Sequence, residues 1–148
     1  MKKQIKRIVV ILYLVALSII LFCRKPDGLG IGLSQIATRL QTSVNLRPFK
    51  TLAAYFSAIA FGGIGSKLYC LNIYGNVLLF CPLGVIFSRK LKVFPAILSL
   101  LAAIISAELL QLVFGVGRAD IDDVILNFVG ALLGYVIARA AQKIKNSR

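Results

Sequence analysis

A chain of 148 residues that is 59% hydrophobic, with a mean hydropathy of +0.88, exceeds the apolar content of ordinary soluble domains, which is about half or less. The length allows one compact unit of several spans and excludes a separate soluble domain of useful size. The net charge of +13 comes from Lys and Arg divided into short clusters at the ends of apolar runs, which points to an anionic bilayer and not to nucleic acid; the absence of His excludes imidazole catalysis and His-based metal sites.

Residues 1–7 carry Lys2, Lys3, Lys6 and Arg7, and residues 8–23 are apolar apart from Ser18. No small-x-small cleavage site follows, and Phe22 before Cys23 does not suit a lipoprotein site, so this is read as a retained first span. The only long connection runs from Arg24 to Lys67. Its residues 27–35 are glycine-rich and read as irregular, and Gly28, Gly30 and Gly32 open no strand-helix unit of the nucleotide-binding kind. Residues 51–61 are apolar and aromatic but too short to span, which predicts an interfacial or re-entrant helix. Residues 68–88, 93–116 and 121–138 give a second, a third and a shorter fourth span, each near the roughly 20 residues that cross about 30 Å of hydrocarbon. The predicted fold class is an all-α membrane protein: an antiparallel bundle of four transmembrane helices, with an extracellular loop containing the interfacial or re-entrant helix, in one domain over residues 1–148.

With the N-terminus inside, the inner segments hold Lys2, Lys3, Lys6, Arg7, Arg89, Lys90, Lys92, Arg139, Lys143, Lys145 and Arg148, eleven of the 18 basic residues. All five acids, Asp27, Glu108, Asp120, Asp122 and Asp123, then fall on the outer side or in the outer half of the membrane. Four spans with both termini cytoplasmic satisfy the positive-inside rule.

Helices rise about 1.5 Å per residue, so depth can be compared across spans. Asn76, Glu108 and Asn127 each come out roughly 10 to 12 Å below the outer end of their span, which predicts a shared polar layer. Asn72 stands one turn above Asn76, and Gln111 one turn above Glu108, so the layer opens toward Arg118 and the three aspartates. Asp123, Asn127, Gly130 and Gly134 recur on one helical face, polar at one end and small at the other, and small residues allow close helix approach in lipid. Pro82 and Gly84 are expected to bend the second span below Asn76. Cys23, Cys70 and Cys81 lack metal-ligand spacing and read as small apolar filler, with a Cys23–Cys70 disulfide left open.

Structural roles for the same residues stay open. Asn76, Asn127 and Gln111 suit interhelical hydrogen bonds worth about 0.6 kcal/mol each, and Asp120, Asp122 and Asp123 suit solvated loop and helix-start positions favoured by the macrodipole. Glu108 fits a structural role less easily, because a carboxylate in the middle of a span costs roughly 2.5 to 3.5 kcal/mol. A divalent cation on the three aspartates with Asn127 would suit hard oxygen ligands, but side chains on one helix start diverge, so neither metal nor cofactor is expected.

Three stretches carry a pattern in common with known proteins: Asn45, Leu46, Arg47, Pro48, Phe49, Lys50, Thr51; then Asn76 through Phe80 with Cys81, Pro82, Leu83, Gly84; then Glu108, Leu109, Leu110, Gln111 followed by Gly117, Arg118, Asp120, Asp122, Asp123, Asn127, Gly130 and Gly134. In order and spacing they resemble the VanZ-like family of small bacterial integral membrane proteins, over residues 45–135. Arg47 stands at an often aliphatic position and Phe128 at one often filled by Thr; neither touches the polar layer. The resemblance implies a bacterial cell-membrane protein of the envelope, and for the namesake branch a contribution to teicoplanin tolerance. It maps the family's recurring polar residues onto Asn45, Asn76, Glu108, Gln111, Arg118, Asp120, Asp123 and Asn127. Two functional readings follow. In one, these residues form an outward pocket that engages a membrane lipid, a lipid-linked cell-wall precursor or the lipoglycopeptide antibiotic, without catalysis. In the other, an intramembrane enzyme acts on such a lipid, with Glu108 as general acid or base and Arg118 stabilising anionic charge. Oligomeric state is not legible.

Overall fold

A computed structural model describes residues 2–23, 27, 31–62 and 66–147. Among them are α1 (Lys2–Phe22), α2 (Leu33–Thr42), β1 (Val44–Asn45), α3 (Lys50–Ala60), α4 (Ser66–Ser88), α5 (Val93–Phe114), β2 (Ala119–Asp120) and α6 (Ile121–Asn146). The protein is all-α apart from the two-residue ribbon of β1 and β2, which the hydropathy pattern does not register. Four of the described helices, with spans at Gln4–Phe22, Ser66–Ser88, Val93–Phe114 and Ile121–Asn146, are long and apolar enough to cross a membrane. Their large apolar side chains are widely exposed, Ile11, Leu78, Leu98 and Ile137 among them, as befits surfaces facing lipid. The chain divides into two compact units, Met1–Val44 with Ser106–Ala119, and Asn45–Ile105 with Asp120–Arg148.

In the first unit, residues 28–30 lie outside the described residues, Asp27, Ile31 and Gly32 are irregular as expected, and only Leu33, Ser34 and Gln35 depart from the expectation by being helical. Gly32 is the extended N-cap of α2, which starts at Leu33 and runs through good helix formers such as Leu, Gln, Ala and Arg. α5 ends two residues before the predicted limit for a geometric reason. Gly115 adopts φ +66°, Val116 N–H bonds Gln111 O at 3.0 Å and Gly115 N–H bonds Leu112 O at 3.2 Å, which is a Schellman termination.

The second unit is organised by α4 and α6, which run parallel: Asn76 meets Asp123 near one end and Ser88 meets Gln142 near the other. The small face expected on α6 is where they touch. A Cβ on Gly130 would land on the Val77 carbonyl oxygen, one on Gly134 on that of Cys81, and one on Gly84 on that of Ala131. Gly84 therefore serves close approach, and α4 continues as one helix through Pro82. α3, at 11 residues, is too short to span, as its composition indicates. α6 extends eight residues past the predicted end at 138, because Ala, Gln and Lys sustain a helix after the apolar run stops. On α5, Ala96, Leu100 and Ile104 are buried at intervals of four, one stripe of the helix. All three cysteines are free thiols, so the Cys23–Cys70 bridge is not formed.

The basic clusters set an expectation for topology. Cysteines introduced at Lys90 and Lys143 should resist a membrane-impermeant thiol reagent in intact cells, whereas one at Gly32 should react. The opposite pattern would invert the protein.

Candidate functional site

α3 begins without a cap of its own. Phe49 holds the N-cap position in the left-handed region, φ 63° and ψ 3°, with no side chain that can accept, and the first turn contains no acid. The leading N–H groups of a helix need acceptors. They find one on α6: Asp122 Oδ1 accepts from Phe49 N–H at 2.6 Å, and Oδ2 accepts from Thr51 N–H at 2.8 Å and Leu52 N–H at 3.0 Å. Asp122 is 1% exposed, so the picture of a solvated helix-start residue is wrong for it. Three backbone donors and the positive end of a helix compensate the buried carboxylate.

Asp120 does what a helix-start aspartate does, accepting from Asp122 N–H at 3.0 Å as N-cap of α6. It does more besides. Thr51 Oγ1 donates to Asp120 Oδ2 at 2.6 Å, while Asn45 Nδ2 donates both to Asp120 Oδ1 and to Thr51 Oγ1, each at 3.1 Å. Asn45 Oδ1 in turn accepts from Arg47 N–H at 3.3 Å. One turn further along α6, Asp123 Oδ1 accepts from Asn76 Nδ2 on α4 at 2.9 Å, and Asn72 Nδ2 on α4 donates to the Tyr55 hydroxyl at 2.8 Å. The Tyr55 ring stacks on Tyr69 with centroids 4.7 Å apart. Burial pushes the Tyr55 phenol above its ordinary pKa, the Asn72 hydrogen bond opposes this, and the Asp123 and Asp120 carboxylates add to it.

Of the residues singled out from sequence, Asn45, Asn76, Asp120 and Asp123 thus enter one hydrogen-bonded frame joining α3, α4 and α6. Asn127 lies one turn after Asp123, is 2% exposed, and belongs to the same unit. Glu108, Gln111 and Arg118 belong to the first unit. There Glu108 is 6% exposed and continues the stripe begun by Ala96; Gln111 donates to Leu21 O at 2.9 Å, and Arg118 is exposed. The first unit also contains a pair that the sequence reading passed over. Arg39 Nε and Nη2 grip the Asp27 carboxylate at 2.6 and 2.7 Å, and Nη1 donates to Val113 O at 3.0 Å. The Asp27 hydrogen bond raises the Arg39 pKa against the opposing effect of burial, so the side chain stays cationic. Gly115 leaves the room this pair needs, since a Cβ there would meet Arg39 Nη2.

The capping of α3 by Asp122, the places of Thr51 and Tyr55 in the frame, and the Arg39–Asp27 pair are what the sequence does not foretell. A signal for Asp122 was present: α3 starts at Phe49–Lys50 with no capping residue, while α6 starts with three aspartates, more than its own N-terminus uses.

Lipid-exposed apolar helices and a polar frame near the ends of two of them define a multi-span α-helical membrane protein. The chain belongs to the VanZ/LLP1 family, whose model matches residues 10–142. It is similar to Protein VanZ of Enterococcus faecium, 27% identical over 111 residues, which is 73% of this chain and 60% of that protein. The chain therefore spans less than two thirds of that relative's length. No solved structure matches.

Proposed function

We propose that this protein contributes to teicoplanin tolerance at the bacterial cell envelope by binding an amphiphile with an anionic head: an envelope lipid, a lipid-linked wall precursor or the lipoglycopeptide itself. Family membership and the similarity to Protein VanZ support the process. The observation that supports binding is the start of α3, where exposed Arg47 and Lys50 stand beside exposed Phe49 on backbone anchored by Asp122. Cations suit a phosphate or carboxylate, an aromatic suits a chain, and anchoring lowers the ordering cost of capture. In this reading both termini are cytoplasmic and the frame faces outward, with Asn45, Asn76, Asp120, Asp123 and Asn127 shaping the binding region of the second unit; Glu108, Gln111 and Arg118 are proposed as ligand-binding residues of the first unit.

A second reading rests on Glu108. A carboxylate buried within a span suits acid or base chemistry on a lipid. Glu108→Gln keeps size and hydrogen-bonding capacity while removing the charge, and Arg118→Lys keeps charge while losing the planar fork. Both variants should reach normal membrane levels, and tolerance should fall toward that of cells lacking the protein. Full tolerance in both, at matched levels, would return these residues to a structural role. Mass spectrometry of envelope lipids from the same cells separates the two readings, since a lipid species present with the parent and lost in Glu108→Gln indicates catalysis.

A further inference from the structure

The opposite end of the second unit has a different chemistry. The last turns of α6 and the first residue of α5 border an open groove of about 700 Å³, lined by Val93, Leu132, Tyr135, Val136, Arg139 and Lys143 among others. One of its cations is placed. The Tyr135 hydroxyl donates to Leu91 O at 3.2 Å in the α4–α5 turn, which fixes the ring, and the Arg139 guanidinium stands 5.9 Å from the ring centroid. Arg89, Lys90, Lys92 and Lys145 flank the lining residues in sequence, and neither residues 66–107 nor 124–148 contain an acid. The cations of this end are therefore not matched by carboxylates along α4, the first part of α5 or the length of α6 beyond Asp123.

The floor decides what kind of anion fits. Below Arg139 and Lys143 the groove is apolar, and it runs onto Val93, Leu133, Val136 and Ile137, all exposed on segments that lie within or border spans. From Val136 to Lys143 is about 10 Å along the helix, the scale of a phospholipid headgroup with its glycerol. A soluble anion has no use for that floor.

We propose that this groove is a binding site for an anionic phospholipid of the leaflet it faces, with the headgroup phosphate on Arg139 and Lys143 and an acyl chain laid over Val93, Leu132 and Val136. The site is separate from the binding region proposed above, which lies at the other end of α4 and α6.

The test uses the full chain in phosphatidylcholine vesicles, with spin-labelled phosphatidylglycerol or spin-labelled phosphatidylcholine as the probe, and reads the motionally restricted fraction by electron paramagnetic resonance. The parent should hold phosphatidylglycerol in preference to phosphatidylcholine. Arg139→Gln and Lys143→Gln should each reduce that preference by roughly fivefold, the effect of one basic group at a membrane surface. Arg139→Lys should reduce it too, because the charge remains but the planar group held on Tyr135 is gone. The double variant Lys6→Gln with Arg7→Gln, which removes basic residues elsewhere, should leave the preference intact. An equal loss in that control, or a fully retained preference in Arg139→Lys, would reduce the effect to unlocalised surface charge and overturn the site. Displacement of the labelled lipid by added inorganic phosphate would overturn it in favour of a soluble anion. Should Arg139→Gln fail to elute as a folded species, Arg139→Lys and Lys143→Gln decide the matter.

Discussion

Asp122→Ala is expected to lower the thermal unfolding midpoint of the detergent-solubilised protein sharply, at a cost of about 3 to 5 kcal/mol. The side chain is buried and accepts from three backbone donors at the start of α3. Removing it strands those donors together, and each stranded donor costs about 1 to 3 kcal/mol until water reaches it. Phe49 adds to the effect. Its left-handed backbone costs about 1 to 3 kcal/mol and persists only where the surroundings enforce it, so without the Asp122 bond that turn should relax. Asp122→Asn, which keeps one accepting oxygen, should fall between parent and alanine. Asp120→Ala provides the comparison, since that residue is less buried and accepts none of the leading N–H groups of α3; it gives up an N-cap worth about 1 kcal/mol and side-chain bonds from Thr51 and Asn45, so a smaller fall is expected. Size-exclusion monitoring after a heat ramp would measure all four proteins. Equal midpoints for the two alanine variants would mean that Asp122 does not anchor α3.

Gly130→Ala should be comparably damaging for an unrelated reason. Its new Cβ would coincide with the Val77 carbonyl oxygen, and a backbone atom within a helix cannot step aside as a side chain can. α4 and α6 would have to separate along their contact, at an expected cost of about 2 to 3 kcal/mol. Water does not drive apolar helices together inside lipid, so close packing has to do more of the work there, and its loss is less readily offset. Gly134→Ala should behave alike against the Cys81 carbonyl. Gly75→Ala is the internal control: nothing lies within 4 Å of its Cβ position, so the helix should gain up to about 1 kcal/mol from the better helix former. A Gly130→Ala protein as heat-resistant as the parent would show that the contact tolerates widening.

The spans were legible because lipid imposes a length and a composition that hydropathy reads directly. The glycine face of α6 was legible for a related reason, since small residues at helical spacing have few other uses in a span. Helix ends were less so: α6 outlasts its apolar run because polar residues such as Lys143 and Gln142 are good helix formers, and hydropathy marks where lipid ends, not where the helix does. The frame was half visible. Asn76, Asp120 and Asp123 stand out as polar residues in or beside apolar runs and Asn45 only through the family resemblance, while the sequence treats all three aspartates alike. Adjacent aspartates at a helix start look alike in sequence, and only the direction of each side chain separates Asp120, which caps its own helix, from Asp122, which caps another. The Arg39–Asp27 pair is invisible for the same kind of reason, because nothing in the spacing of an acid before α2 and a base within it shows that the two side chains meet.

The distance in sequence between α3 and its cap constrains the order in which the protein can be assembled. Asp122 follows its three donors by 70 to 73 residues, and Asp120 follows Thr51 by 69. A chain made from its N-terminus emerges with α3, α4 and α5 in place before any of these acceptors exists. Until α6 arrives, the first turn of α3 has only water or lipid headgroups for its donors and nothing to hold Phe49 left-handed. A later helix thus completes an earlier one. A ribosome-bound chain halted before residue 120 should expose the Phe49–Lys50 turn to protease, and release of the full chain should close it.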